Sequence, residues 1–142
     1  MIILTRQVPG KPLTVTIEYS EYTESVNGLI KRIESLDLRF NVFSDESRIR
    51  IALSDVYYLE NVDRKMFLYT REDVFRLDAS MQEIGKVTED SDLVRISRTC
   101  IMNVSHLTEI KQLKNSHLEA TLDNGERLIV SRKYLNDIKR RF

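Results

Sequence analysis

The sequence predicts a mainly β fold of the α+β kind, with short helices and a strand–helix extension at its N-terminus. Three observations predict it. Short runs of alternating apolar and polar residues recur from about residue 40 onward, separated by turn residues. An Asn124-Gly125 pair lies between two such runs, the strongest short hairpin signal in a sequence. One stretch, about 21–36, instead places apolar residues at helical spacing.

Taken in order, Pro9, Gly10 and Pro12 predict a turn between a short strand and a longer one. Leu13, Val15, Ile17 and Tyr19 alternate with Thr14, Thr16 and Glu18, the pattern of a half-buried strand. Tyr22, Val26, Leu29, Ile30, Ile33 and Leu36 then build the helix. Phe40–Phe43, Arg48–Leu53 and Val56–Glu60 are expected strands, with Asp45-Glu46-Ser47 as a turn, and Lys65–Thr70 and Asp73–Leu77 follow. Ser80-Met81-Gln82-Glu83 is a capping box that should start a short helix ending near Val87. Leu93–Ile96 is a further strand. Glu109–Leu113, a turn at Lys114-Asn115-Ser116, Leu118–Leu122 and the strand returning after Gly125 make a meander. Ser131 is expected to cap a last helix carrying Tyr134, Leu135 and Ile138.

Composition narrows the function classes. The 142 residues are 42% hydrophobic and 31% charged, an ordinary globular balance. No apolar run approaches the roughly 20 residues of a membrane span, and the start MIILTRQVPGKPL is too short in apolar length for a secretory signal. With a single cysteine, Cys100, no internal disulfide framework is available, and a cytoplasmic location is expected. The formal net charge of zero conceals an asymmetry: residues 1–94 hold 12 Lys and Arg against 17 Asp and Glu, whereas residues 95–142 hold 10 against 5. A basic back half suggests an anionic partner.

An enzyme is not expected. His106 and His117 lack Cys or carboxylate neighbours at metal-ligand spacing, so no metal site is predicted. Cys100, within the apolar run Cys100-Ile101-Met102, reads as a buried structural thiol. The chain carries only four glycines and no glycine-rich phosphate loop, and no cofactor or small-molecule substrate is predicted. Basic clusters at turns are the stronger signal. Ser131-Arg132-Lys133-Tyr134-Leu135 would put two cations beside the open N–H groups of a helix start, a seat for phosphate, or else simply a pair of solvated charges. Arg95-Ile96-Ser97-Arg98-Thr99 is a second basic, hydroxyl-bearing cluster, and Arg64-Lys65 is a third, in a turn between strands.

These residues carry a resemblance. From about Ile51 to Phe142 the chain resembles the LytTR domain of the LytR/AlgR class of bacterial regulators. The matching pieces occur in order: Asp55-Val56-Tyr57-Tyr58-Leu59-Glu60, Met66-Phe67-Leu68-Tyr69-Thr70, Met81-Gln82-Glu83-Ile84, Leu93-Val94-Arg95-Ile96-Ser97-Arg98-Thr99, Ile101-Met102-Asn103-Val104, and Asn124-Gly125-Glu126 leading to Val130-Ser131-Arg132-Lys133-Tyr134. The expected division is residues 1–45 as an extension offering dimer or partner contacts, and 46–142 as the DNA-binding domain.

The resemblance implies an elongated, mainly β fold that grips double-stranded DNA with loops in successive major grooves, and two protomers, a homodimer, on promoter direct repeats. It assigns base contacts to Lys65, Arg98 and Lys133. It assigns phosphate contacts to Arg64, Ser97, Ser131, Arg132 and Tyr134, and gives Asn103 the task of holding a turn. Many members carry His where this chain has Ser97. Relatives often have an N-terminal receiver domain, for which residues 1–50 are too short, so control is expected through abundance, oligomerisation or a partner. Short members resemble regulators encoded beside a small membrane protein that restrains them, which makes such an inhibitor an expected partner. The competing readings are a non-catalytic β-sandwich interaction module and an RNA-binding domain. The second is disfavoured because Tyr57, Tyr58, Phe67 and Tyr69 are expected in the core.

Overall fold

The computed structural model describes residues 1–141, with side chains through Lys139; Phe142, the end of the expected DNA-binding domain, lies outside the described residues. At the N-terminus Lys11 donates its N–H to the Val8 carbonyl at 3.3 Å. Gly10 takes φ +81°, so Val8-Pro9-Gly10-Lys11 is a turn with proline and glycine at the positions that favour them. The strand expected over 13–19 does not form; among the described residues the segment has no ladder partner. Alternation specifies which face a strand would bury, but a strand exists only against a neighbour, and an isolated hairpin is marginal in water.

Helix α1 (Glu24–Ser35) starts where Thr23 accepts a hydrogen bond from the Val26 N–H at 3.3 Å. Its apolar residues Val26, Leu29, Ile30 and Ile33 are only half-buried. Two ion pairs hold its C-terminal half, Lys31 to Asp90 at 3.1 Å and Arg32 to Asp92 at 3.0 Å.

The body follows the predicted succession with one strand added, over Cys100–Asn103, where the sequence reading has only an apolar run. Strands β1 (Arg39–Ser44) and β2 (Ser47–Ala52) form a hairpin whose turn has Asp45 at φ +47°. Then come β3 (Tyr58–Val62), β4 (Lys65–Tyr69), β5 (Val74–Leu77), α2 (Met81–Val87), β6 (Leu93–Arg95), β7 (Cys100–Asn103), β8 (Leu107–Gln112), β9 (Leu118–Leu122), β10 (Arg127–Val130) and α3 (Leu135–Arg141). The capping box works as predicted at its first position, with Ser80 Oγ accepting from the Glu83 N–H at 3.1 Å. β3 begins two residues later than the predicted strand over Val56–Glu60. The cause is Asn103, which is fully buried and whose Nδ2 donates to the carbonyls of Leu53 at 3.2 Å and Val56 at 2.7 Å. Those carbonyls are thereby turned from any ladder, and residues 53–55 close a 3₁₀ turn instead.

Two antiparallel sheets result. The larger has strand order β2-β1-β5-β4-β3-β7-β6 and the smaller β10-β9-β8. β1, which precedes the expected domain boundary at 45/46, is hydrogen-bonded into the larger sheet beside β2 and β5.

The period-2 geometry of the central strands separates two cores. Leu59, Ile101 and Leu93 join Phe40, Val42, Met66, Leu68 and Ile84 of α2 on one face. Tyr58, Cys100, Met102 and Val94 point the other way, against Leu118, Ala120, Leu122 and Val130 of the small sheet and Ile138 of α3. Strands buried on both faces read as continuous apolar runs, which is why 100–103 is buried at every position. Burial raises the Cys100 thiol to about 12, so it remains protonated at neutral pH. Tyr57 and Tyr58 are buried as expected, while Phe67 and Tyr69 are half-buried, with Tyr69 stacked on Tyr58 at 4.1 Å between centroids.

Candidate nucleic-acid interface

Antiparallel topology decides which turns share an end of the molecule. β3 runs from Tyr58 to Val62 and turns into β4 at Asp63-Arg64, with Val62 opposite Lys65. Asp63 and Arg64 both take positive φ, +51° and +65°, as a two-residue hairpin turn of the I′ type requires. Lys65 opens β4 with an exposed side chain. Beside this turn lies the connection from β6 to β7, residues 96–99. The two are joined by the Asn61 N–H, which donates to the Thr99 carbonyl at 2.8 Å.

The 96–99 loop is held from within. Ile96 and Ser97 both donate N–H groups to the Cys100 carbonyl, at 3.0 and 3.3 Å, and Ser97 Oγ accepts from the Thr99 N–H at 3.2 Å. Arg95 reaches back along it, Nε donating to the Ser97 carbonyl at 3.0 Å and Nη2 to the Arg98 carbonyl at 2.7 Å. The Arg98 side chain itself is exposed.

The third cluster is fastened to the second. Ser131 donates its N–H to the Ile96 carbonyl at 2.8 Å. A 3₁₀ turn over Arg132–Tyr134 follows and runs into α3. The Ser131 side chain makes no capping bond; its carbonyl instead accepts from the Tyr134 N–H at 2.9 Å, which corrects the expected side-chain cap. The turn is tight enough to close on the backbone alone. Lys133 Nζ lies 5.7 Å from the Tyr134 ring centroid and the Arg95 guanidinium 5.9 Å from the same ring. Arg132 is directed to the Asn115 carbonyl at 3.4 Å, which ties this turn to the β8–β9 turn and its exposed Lys114.

All eight predicted contact residues therefore fall at one end of the body, in three adjoining turns. Arg64, Lys65, Arg98, Arg132 and Lys133 are exposed there, and Ser97, Ser131 and Tyr134 half-exposed. Sequence reasoning missed two features. The sequence places Arg95 in the basic cluster, yet its side chain braces two of the turns; its i+2 and i+3 carbonyl partners leave no sequence pattern. The sequence marks Lys114 only as a turn residue, although a meander puts its turn beside the end of β10.

The opposite end carries a polar cluster of another kind. Tyr57 OH donates to Asp123 Oδ1, which Arg71 also meets at 3.2 Å, and His106 Nδ1 lies 3.0 Å from Asp123 Oδ2. His106 stacks on Tyr57 at 3.9 Å between centroids, and its Nε2 lies 2.7 Å from the Ser54 carbonyl. The Tyr57 hydrogen bond, then that of His106, hold the Asp123 carboxyl below its ordinary value. This cluster joins the two sheets. Among the described residues no three His, Cys, Asp or Glu side chains are placed to hold a metal ion, and no helix is long and apolar enough to cross a membrane.

Residues 46–142 match the family described as the LytTr DNA-binding domain. The chain belongs to that family. A LytTr DNA-binding domain from Bacillus cereus superposes with a TM-score of 0.67 at 28% identity, over 72% of this chain and 94% of that one. Among curated proteins, the Sensory transduction protein LytT of Bacillus anthracis is 26% identical over 96 residues, 68% of this chain. The LytT proteins of Bacillus subtilis and Enterococcus faecalis are 25% and 24% identical over 95 and 89 residues. The matched part spans 39% of the B. anthracis and B. subtilis proteins and 37% of the E. faecalis one, so the resemblance is to the LytTr part of longer chains. Asn103 has the turn-holding task that the LytTR resemblance assigned to it: besides its two carbonyl bonds, its Oδ1 accepts from the Ser105 N–H at 3.0 Å.

Proposed function

We propose that this LytTr chain is a transcription regulator that binds double-stranded DNA in a sequence-specific way, placing its three cationic turns in successive major grooves. Lys65, Arg98 and Lys133 read base edges. Arg64, Ser97, Ser131, Arg132 and Tyr134 set register on phosphates. Two protomers occupy direct repeats. The observation that carries this reading is the mutual fastening of the three turns at one end of a stiff β body, through Asn61 to Thr99 and Ser131 to Ile96.

The chemistry is consistent with that placement. A cation meeting guanine N7 and O6 supplies roughly 1–3 kcal/mol of discrimination, provided the loop bearing it is held still. Contacts to phosphate give affinity and orientation but no sequence preference. Rigid turns on a double-faced core meet the first requirement, and the cations at their margins meet the second.

The test is a fluorescence-anisotropy titration against a duplex enriched by the protein from a random pool, repeated across salt concentrations. Phosphate neutralisation predicts a log–log slope of about −0.9 per phosphate contacted. Enrichment of single-stranded RNA over duplex DNA would favour the RNA-binding reading. Binding that ignores salt, or no binding, would instead favour a protein-interaction module.

A further inference from the structure

We propose that residues 13–19 of one copy of this chain add as a strand to the open edge of β2 in a second copy. The segment has every mark of a strand except a partner. Leu13, Val15, Ile17 and Tyr19 alternate with Thr14, Thr16 and Glu18. Leu13 is 98% exposed, Val15 58% and Tyr19 51%, with Ile17 between them half-buried, so most of an apolar stripe stands in water.

One edge suits it best. β6 is three residues long, β10 is four, and β8 is broken by a register shift between Leu107 and Glu109. β2 is six residues, outermost in the larger sheet, and pairs with β1 in unbroken register. Its faces match those of the segment. Ile49 and Ile51 are partly buried against the core, and an added strand would continue that face with Val15 and Ile17. Arg48 and Arg50 stand exposed on the other face, where Thr14, Thr16 and Glu18 would lie. The same arginines disfavour a β2–β2 pairing, since like charges would face one another. An acidic strand is accepted where a basic one is turned away.

The segment is not paired with β2 of its own chain. Twelve helical residues carry the chain about 18 Å between the segment and β1. The Lys31–Asp90 and Arg32–Asp92 pairs hold that helix on the loop before β6, and β6 is the edge opposite β2. Among the described residues, 13–19 make no backbone hydrogen bond to β2 of their own chain, which leaves that edge open to a second copy.

This arrangement supplies a contact for the two-protomer reading above but needs no DNA, so each can fail without the other. Light scattering coupled to size exclusion, on the full chain without DNA, tests it. The parent should show a concentration-dependent dimer. Val15→Pro, at an exposed position whose N–H has no partner among the described residues, should raise the dimer dissociation constant about tenfold with an unchanged far-UV CD spectrum. Arg50→Glu should raise it about threefold, and adding Glu18→Arg should restore it. A parent that stays monomeric overturns the proposal, as does a dimer indifferent to Val15→Pro. A Val15→Pro variant of unchanged mass but lower melting temperature also overturns it, because the segment would then lie on its own chain.

Discussion

The backbone N–H of Ser131 donates to the carbonyl of Ile96 at 2.8 Å, binding the start of the last helical segment to the loop that carries Arg98. Arg95 reinforces the junction from the side, through two carbonyls of that loop and the Tyr134 ring. Replacing Arg95 by Met keeps the aliphatic stem and deletes the guanidinium fork. The specific DNA complex should weaken about tenfold, while binding to random-sequence DNA falls much less, with amide exchange at Thr99 accelerated and global stability lowered by about 1 kcal/mol. Arg95→Lys should recover little, because a point ammonium cannot meet both carbonyls in the plane. Equal losses on specific and random duplexes would instead make Arg95 a simple phosphate contact.

Asn103 is a buried polar side chain with four hydrogen bonds, the Leu53 and Val56 carbonyls accepting from it and Ser105 donating to it through both N–H and Oγ. Asn103→Leu should destabilise the fold by about 3 kcal/mol, since it orphans buried carbonyls as well as deleting bonds. Asn103→Asp retains the acceptor for Ser105 yet has no donor for the carbonyls, so it should be no milder. Urea denaturation monitored by CD gives both values.

The Asp123 carboxyl is held below its ordinary value, first by Tyr57 and next by His106. A depressed folded pKa stabilises the protein above the unfolded-state carboxylate value and loses that contribution as pH falls through the folded one. The parent should therefore lose stability below about pH 4, and Asp123→Asn should flatten that part of the profile while lowering the plateau above it. Melting temperature against pH measures both.

Cys100, on β7 and buried in the core against the small sheet, is pushed up to about 12 and should resist thiol reagents in the folded protein at neutral pH. Its modification rate should rise only with denaturant, following the unfolding curve. Fast reaction under native conditions would show that the contact between the two sheets opens readily.

Most strands were legible because each carries its own pattern. Leu118, Ala120 and Leu122, and the turn at Gly125 with φ +88°, need only local chemistry. What the sequence leaves open is set by distant partners. The late start of β3 depends on Asn103, about fifty positions away in sequence. The Tyr57, Asp123 and His106 cluster unites residues that share no motif. Residues 13–19 show the converse, a legible strand pattern without its pairing edge. The three cationic turns were legible singly; their common end follows from strand direction and from Asn61 and Ser131, whose backbone bonds have no residue signature.

The most direct measurement is the ratio of specific to random-duplex affinity, at one fixed salt concentration, for the parent, Arg98→Ala and Lys133→Ala. Each substitution should cut that ratio by roughly tenfold, the share of a single base contact, with melting temperature unchanged. Ratios equal to the parent's for both variants would contradict the account that these turns read the duplex.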